Sequence, residues 1–274
     1  MKPSPIAKYA RDETRDCLHH FKTNLRHAAK NPDDPDAIHD LRVSIRRLTQ
    51  CFRIFRAPVK KLRRRLHKIM EHCGAVRNCD IALEILAQCG LPESPSVPKL
   101  KKSREGAAQK LHRNLKKERR RRHRTADAAA HPFPHGFQIA TRLPALAEDF
   151  FQTGDAAADP DSSYRTLHRF RLRAKRFRYT LELFERFYGN EMATGANALK
   201  GVQDRLGAIN DCVTTIDLLP DDPIALAAIQ RRLGERTRLF QSYWRSRFPP
   251  PKRAWWRRWL SQPRAAASAP VKAA

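Results

Sequence analysis

The chain has 274 residues and carries 55 Lys and Arg against 28 Asp and Glu, a formal charge of +27. That length can bury a sizeable core as one large domain or two halves, and no run approaches the ~18 apolar residues that a membrane-spanning helix requires. Solubility is met by a net charge of ~2–8, so an excess of this size points to a polyanionic partner that displaces small counterions: nucleic acid, polyphosphate or an anionic membrane surface. Six cysteines without a CxxC pair, and the start MKPSPIAKYARDETRD without an apolar stretch, lead us to expect a soluble cytoplasmic protein whose free thiols pack as small hydrophobes.

Apolar residues recur at three- and four-residue spacing almost throughout, and alternating β-type runs are absent, which predicts an all-α fold. In chain order the pattern predicts helices near 6–30, 36–57, 59–89 and 98–128, then near 136–153, 161–188, 191–219 and 222–247. Breaks are expected at NPDDPD (31–36), Pro58, LPESPSVP (91–98), HPFPHG (131–136), TGDAAADPD (153–161), Gly189 and PDDP (220–223). Asp36 and Asp161, each after a proline, are the expected N-caps of their helices. The division is then a first bundle over 1–130, a second over 131–248, and a Trp/Arg segment with a disordered tail over 249–274. The PPPKRAWWRRWL stretch is expected to dock on the last bundle rather than to touch a membrane.

Residues 38–55, IHDLRVSIRRLTQCFRIF, align without gaps on 167–184, LHRFRLRAKRFRYTLELF. His39 falls on His168, Arg42 on Arg171, Arg46 on Lys175, Arg47 on Arg176 and Phe55 on Phe184, as an internal duplication would leave them. At about 100° per residue, Ile38, Leu41, Ile45, Leu48, Phe52 and Phe55 share one side of the first helix, and His39, Arg42, Arg46 and Arg53 share another. In the second copy Leu167, Phe170, Ala174, Phe177, Leu181 and Phe184 form the apolar stripe, and His168, Arg171, Lys175 and Arg178 the polar one. Arg42 and Arg46 stand one turn, about 6 Å, apart, so each can meet a different phosphate of an extended chain. Guanidinium forks suit two phosphate oxygens at once. No acid interrupts the stripe from His39 to Arg53, and the first on the second stripe is Glu182. Each repeat is followed by a related segment, CGAVRNCD (73–80) or LGAINDC (206–212), whose Gly74 and Gly207 could admit close helix approach. There Arg77, Asn78, Asp80, Asn210 and Asp211 could orient neighbouring guanidinium groups.

These paired motifs resemble the CHAD family, the conserved-histidine α-helical domain, from the first helix to about Phe248. The resemblance implies two pseudo-symmetric four-helix bundles whose basic faces line a central groove or pore and bind inorganic polyphosphate. Some relatives are fused to triphosphate tunnel metalloenzyme domains, and others associate with polyphosphate or polyester storage granules. By this likeness His39, His168, Arg42, Arg46, Arg47, Arg171, Lys175, Arg176 and Arg178 are the matching site residues. Asn78 departs from the aspartate common in relatives, which argues against an orienting ion pair there.

Helical phase adds Arg53, then Arg64, His67 and Lys68 on the third helix. It also adds Arg113, Lys116, Arg119 and Arg120 on the fourth, although the RRRRHR run at 119–124 could equally be an exposed arm. Lys200 and Arg205, just before the second Gly-Ala segment, complete the set. No HExxH, Walker-type loop, GxSxG elbow or zinc-ligand spacing appears, so no catalytic residue, cofactor or metal is expected. The expected function is non-catalytic polyphosphate binding, for granule targeting or scaffolding. The alternatives are a basic helical nucleic-acid binder or a regulatory partner of a polyphosphate-processing enzyme.

Overall fold

The computed structural model describes residues 5–55, 59–121, 139–188 and 191–263, and within them the chain is helical with no strand. The helices are α1 (Pro5–Lys30), α2 (Pro35–Ile54), α3 (Lys60–Gln88), α4 (Ser96–Arg120), α5 (Ile139–Ala158), α6 (Tyr164–Leu183), α7 (Glu191–Leu218), α8 (Pro223–Arg247) and α9 (Pro250–Leu260). Eight of them occupy the segments that apolar periodicity marks. The expected breaks at Pro58, HPFPHG and Gly189, residues 122–124 of the basic run and the expected disorder of the last dozen residues lie outside the described residues.

Three local expectations need correction. Asp34, not Asp36, caps α2: its carboxylate accepts from the Asp36 amide, because Pro35 takes the first helical position, where a missing N–H costs nothing. Ser163, not Asp161, caps α6, its Oγ accepting from the Thr166 amide. The helix expected to stop near Gly154 runs on to Ala158. Gly154 is there for packing, since a Cβ at that position would collide with the Trp244 ring.

The chain divides into two compact units, Met1–His135 with Asp211–Gln230, and Gly136–Asn210 with Arg231–Ala274. This division is discontinuous in sequence, unlike the contiguous halves 1–130 and 131–248, because α7 and α8 each pass from one unit to the other.

In the first unit α1 packs on α2, α3 on α4, and the contacts of α1 with α4 and of α2 with α3 close the ring. Phe21, Leu25, Leu41, Leu48, Phe52, Leu66, Ile69 and Leu115 are almost wholly buried, each such side chain contributing about 1.5–3 kcal/mol relative to exposure. Two polar staples accompany this core. Buried Glu118 of α4 receives Arg65 of α3 and, three residues on, Arg121. Buried Asp222 accepts from the Ser94 and Ser96 hydroxyls at 2.5 and 2.9 Å and from the Ala225 amide at 3.0 Å.

The second unit has an aromatic core. The Phe150 ring lies 5.1–5.6 Å from Phe170, Phe177, Trp244 and Phe248, within the range where offset aromatic pairs add to area burial. The Trp/Arg segment forms α9, docked on α5: Trp256 and Leu260 are buried, Arg253 forks onto Asp155, and Arg257 pairs with Glu148 at 2.7 Å. Docking, as expected, is what the sequence performs here.

Candidate functional site

On α2 the apolar stripe is driven into the core, and that fixes the other face. Leu41, Ile45, Leu48 and Phe52 are at most 2% exposed, while His39, Arg47 and Arg53 are exposed and Arg42 and Arg46 half-buried. The Nε atoms of Arg42 and Arg46 are enclosed, so each stem is packed along the helix while part of the side chain stays accessible, the usual compromise for a long cation.

His39 and Arg42 open onto a cleft of about 490 Å³. The 32–36 turn forms one wall, Cys73, Val76, Arg77 and Asp80 of α3 another, and Arg104, Ala108 and Leu111 of α4 the third. Arg42 shares this lining with Cys73 of α3; burial pushes the Cys73 thiol up to about 11, opposed by the nearby Arg42 charge. The lining is of mixed charge, with three arginines and His39 against Asp33, Asp34, Asp36 and Asp80. Several of these acids are engaged: Asp80 accepts from Arg104 at 2.5 Å, Asp34 caps α2, and Asp33 lies 3.2 Å from His112. The Asp80 contact raises the Arg104 pKa further above its ordinary value.

The second copy is built alike and finished differently. On α6, Phe170, Ala174 and Phe177 are buried and Arg171, Lys175 and Arg176 half-buried, with the Nε of Arg171 and Arg176 enclosed. His168 is half-buried, its Nδ1 3.4 Å from the Tyr164 hydroxyl, which also donates to Asn210 at 3.4 Å. Arg178 donates to Glu182 at 2.7 Å, so the expected acid on that face neutralises the last cation of the stripe.

Of the remaining candidates, Arg64, Lys68, Arg113, Lys116, Arg119, Arg120 and Lys200 are exposed. His67 is also exposed and sits 3.3 Å from Glu71. The cleft recruits Arg104 from α4 rather than the cations that helical phase selected. At about 100° per residue Arg113, Lys116 and Arg120 lie some 120–180° round the helix from Arg104. Arg205 is half-buried, its guanidinium carbon over the Tyr243 ring at 3.8 Å and its Nη1 donating to the Gly201 carbonyl, which gives it a packing role. Gly74 and Gly207 are not points of close helix approach, since a Cβ at either would meet no atom within 4 Å.

Sequence reasoning missed Arg104 and Tyr164. A signal for Arg104 existed: it is a cation in phase with the packed stripe Leu100, Ala107 and Leu111. Tyr164 stands one turn before His168, where the first copy has Pro35 before His39.

The CHAD domain family model matches residues 14–220. The chain belongs to the CHAD family. Among solved structures, it is similar to the CHAD domain from the plant Ricinus communis, with 21% identity and a TM-score of 0.56 over 95% of this chain and 93% of that one. It is similar also to PptA from Streptomyces chartreusis, with 18% identity and a TM-score of 0.59 over 91% of this chain and 98% of that one. At these identities the likeness speaks for the CHAD fold alone. No curated protein matches the chain.

Proposed function

We propose that this CHAD protein binds inorganic polyphosphate, without turning it over, through the basic faces of α2 and α6. The observation that carries the reading is the matched cation set. Arg42 and Arg171, Arg46 and Lys175, and Arg47 and Arg176 hold the same helical positions in two copies, each accessible on a helix whose opposite face is buried. One-turn spacing suits a linear polyanion whose charges recur along a flexible chain. Membership of a family associated with polyphosphate supports the same ligand. A binding module of this kind serves to hold a polyphosphate chain or to place the protein on a cytoplasmic storage granule.

The test is a titration of the full chain with polyphosphates of graded length, beside RNA and DNA at equal phosphate concentration. Affinity is expected to rise with chain length and to fall steeply with salt. By analogy with DNA, ~6–10 phosphate contacts lose ~10³–10⁵ in affinity between 50 and 200 mM salt. Displacement of polyphosphate by equimolar nucleic-acid phosphate would instead make this a nucleic-acid binder. Shortening of the chains during incubation with magnesium or manganese would make it an enzyme.

A further inference from the structure

By sequence the six cysteines are small core residues, and for two of them the structure points elsewhere. Cys17 of α1 and Cys51 of α2, 34 residues apart, place their sulfurs 3.5 Å from each other in the α1–α2 interface. Glu13, one turn before Cys17, brings its Oε1 to 3.6 Å from the Cys17 sulfur. All three ligand atoms lie within 4.8 Å of one another, the one such group of three among the described residues.

These separations are close to the edges of a coordination tetrahedron. With Zn–S bonds of about 2.3 Å and Zn–O bonds of about 2.0–2.2 Å, ligands at the tetrahedral angle stand about 3.8 Å apart for S···S and about 3.5–3.7 Å for S···O. The Glu13–Cys17 spacing, four residues on one helix face, is what lets two side chains of one helix share an ion. Cys51 is fully buried and Cys17 nearly so, whereas Glu13 is half-buried, so the group reaches solvent on its carboxylate side. That side offers the route of entry and a water for the fourth position.

We infer that Glu13, Cys17 and Cys51 form a site for a thiophilic divalent cation such as Zn²⁺, clamping α1 to the α2 helix that carries His39, Arg42 and Arg46. Binding exchanges two thiol protons for the cation: one M²⁺ enters, both sulfurs coordinate as thiolates, and two protons leave to solvent. Two thiolates and a carboxylate around one dication leave a single net negative charge, a small perturbation in a chain of net charge +27. The site is separate from the cleft at His39, so its fate does not depend on the polyanion reading.

The experiment uses the reduced full chain, stripped with a chelator and titrated with Co²⁺. A thiolate-to-cobalt charge-transfer band should saturate at one equivalent, be bleached by Zn²⁺, and disappear in Cys17→Ala and Cys51→Ala. In Glu13→Gln the band should need at least tenfold more Co²⁺. No band in the wild type, or a band that persists in both alanine variants, overturns the site. If an alanine variant does not fold, X-ray absorption on the zinc-loaded wild type decides. Two sulfur and two oxygen neighbours are expected, and any other count of sulfur refutes the assignment.

Discussion

The two copies of the motif share their cations and differ in what surrounds them, and the difference separates binding from scaffolding. In the first, Pro35 precedes His39, leaving the histidine exposed at the rim of a cleft that gathers Arg42, Arg77 and Arg104. In the second, Tyr164 and Asn210 stand where the first copy has Pro35 and Arg77, and the Tyr164 hydroxyl lies within 3.4 Å of both His168 Nδ1 and Asn210 Oδ1. Arg53 of the first stripe is replaced by Glu182, which takes Arg178 as its partner. The second copy thus has neutral Asn210 in place of Arg77 and an ion-paired Arg178, so α2 should contribute more to polyanion affinity than α6.

The largest effect that can break this comparison is loss of cations. Arg42→Ala with Arg46→Ala should weaken polyphosphate binding about 10²-fold, two charge-assisted contacts of about 1.5 kcal/mol each. Arg171→Ala with Lys175→Ala should cost only about tenfold. Fluorescence titration of both double variants checks the ranking, and equal losses would erase the asymmetry.

Stability offers the next contrast. Glu118→Ala leaves Arg65 and Arg121 without their shared buried partner and should destabilise by about 2 kcal/mol, discounted because both arginines reach solvent. In the second unit Glu148→Ala breaks a pair whose members are both well exposed, 40% and 47%, and should cost under about 1 kcal/mol. Urea melts of the two variants measure the gap directly.

Acid acts on both units. The Ser94 hydroxyl, then the Ala225 amide, hold the Asp222 carboxyl below the usual aspartate range against the opposing effect of burial. A folded pKa below the ordinary ~3.9 means stability that is complete above that value and is lost as pH falls through the folded pKa. For Asp155 burial pushes upward, and hydrogen bonds from Arg253 and Trp244 outweigh it. Asp222→Ala and Asp155→Ala should therefore each flatten the acid limb of the stability curve, read by thermal melts between about pH 2 and 5. The smallest effect is a gain: Glu182→Arg restores to α6 the charge that Arg53 gives α2 and releases Arg178. A roughly threefold tighter polyphosphate isotherm is expected, about 0.6 kcal/mol.

Much of this was legible because helices announce themselves through burial. The stripe Leu41, Ile45, Leu48, Phe52 fixed both the helix and the direction of Arg42 and Arg46, and the duplication made the pairing visible twice. Hidden features depended on tertiary partners. Gly154 reads as a helix breaker until Trp244 is known to press on it, and Asp36 reads as a cap until Pro35 claims the first turn. Arg104 belongs to the cleft only because α4 packs back on α3 and brings it to Asp80, a pairing 24 residues long in sequence. The Cys17–Cys51 contact spans two helices, and no local spacing rule looks that far.

The most direct measurement is polyphosphate binding by the full chain carrying Arg42→Glu, Arg46→Glu, Arg171→Glu and Lys175→Glu together, with circular dichroism confirming that its helices are intact. The expected result is a folded protein whose length-dependent binding is gone. A folded quadruple variant that binds as the wild type does would contradict it.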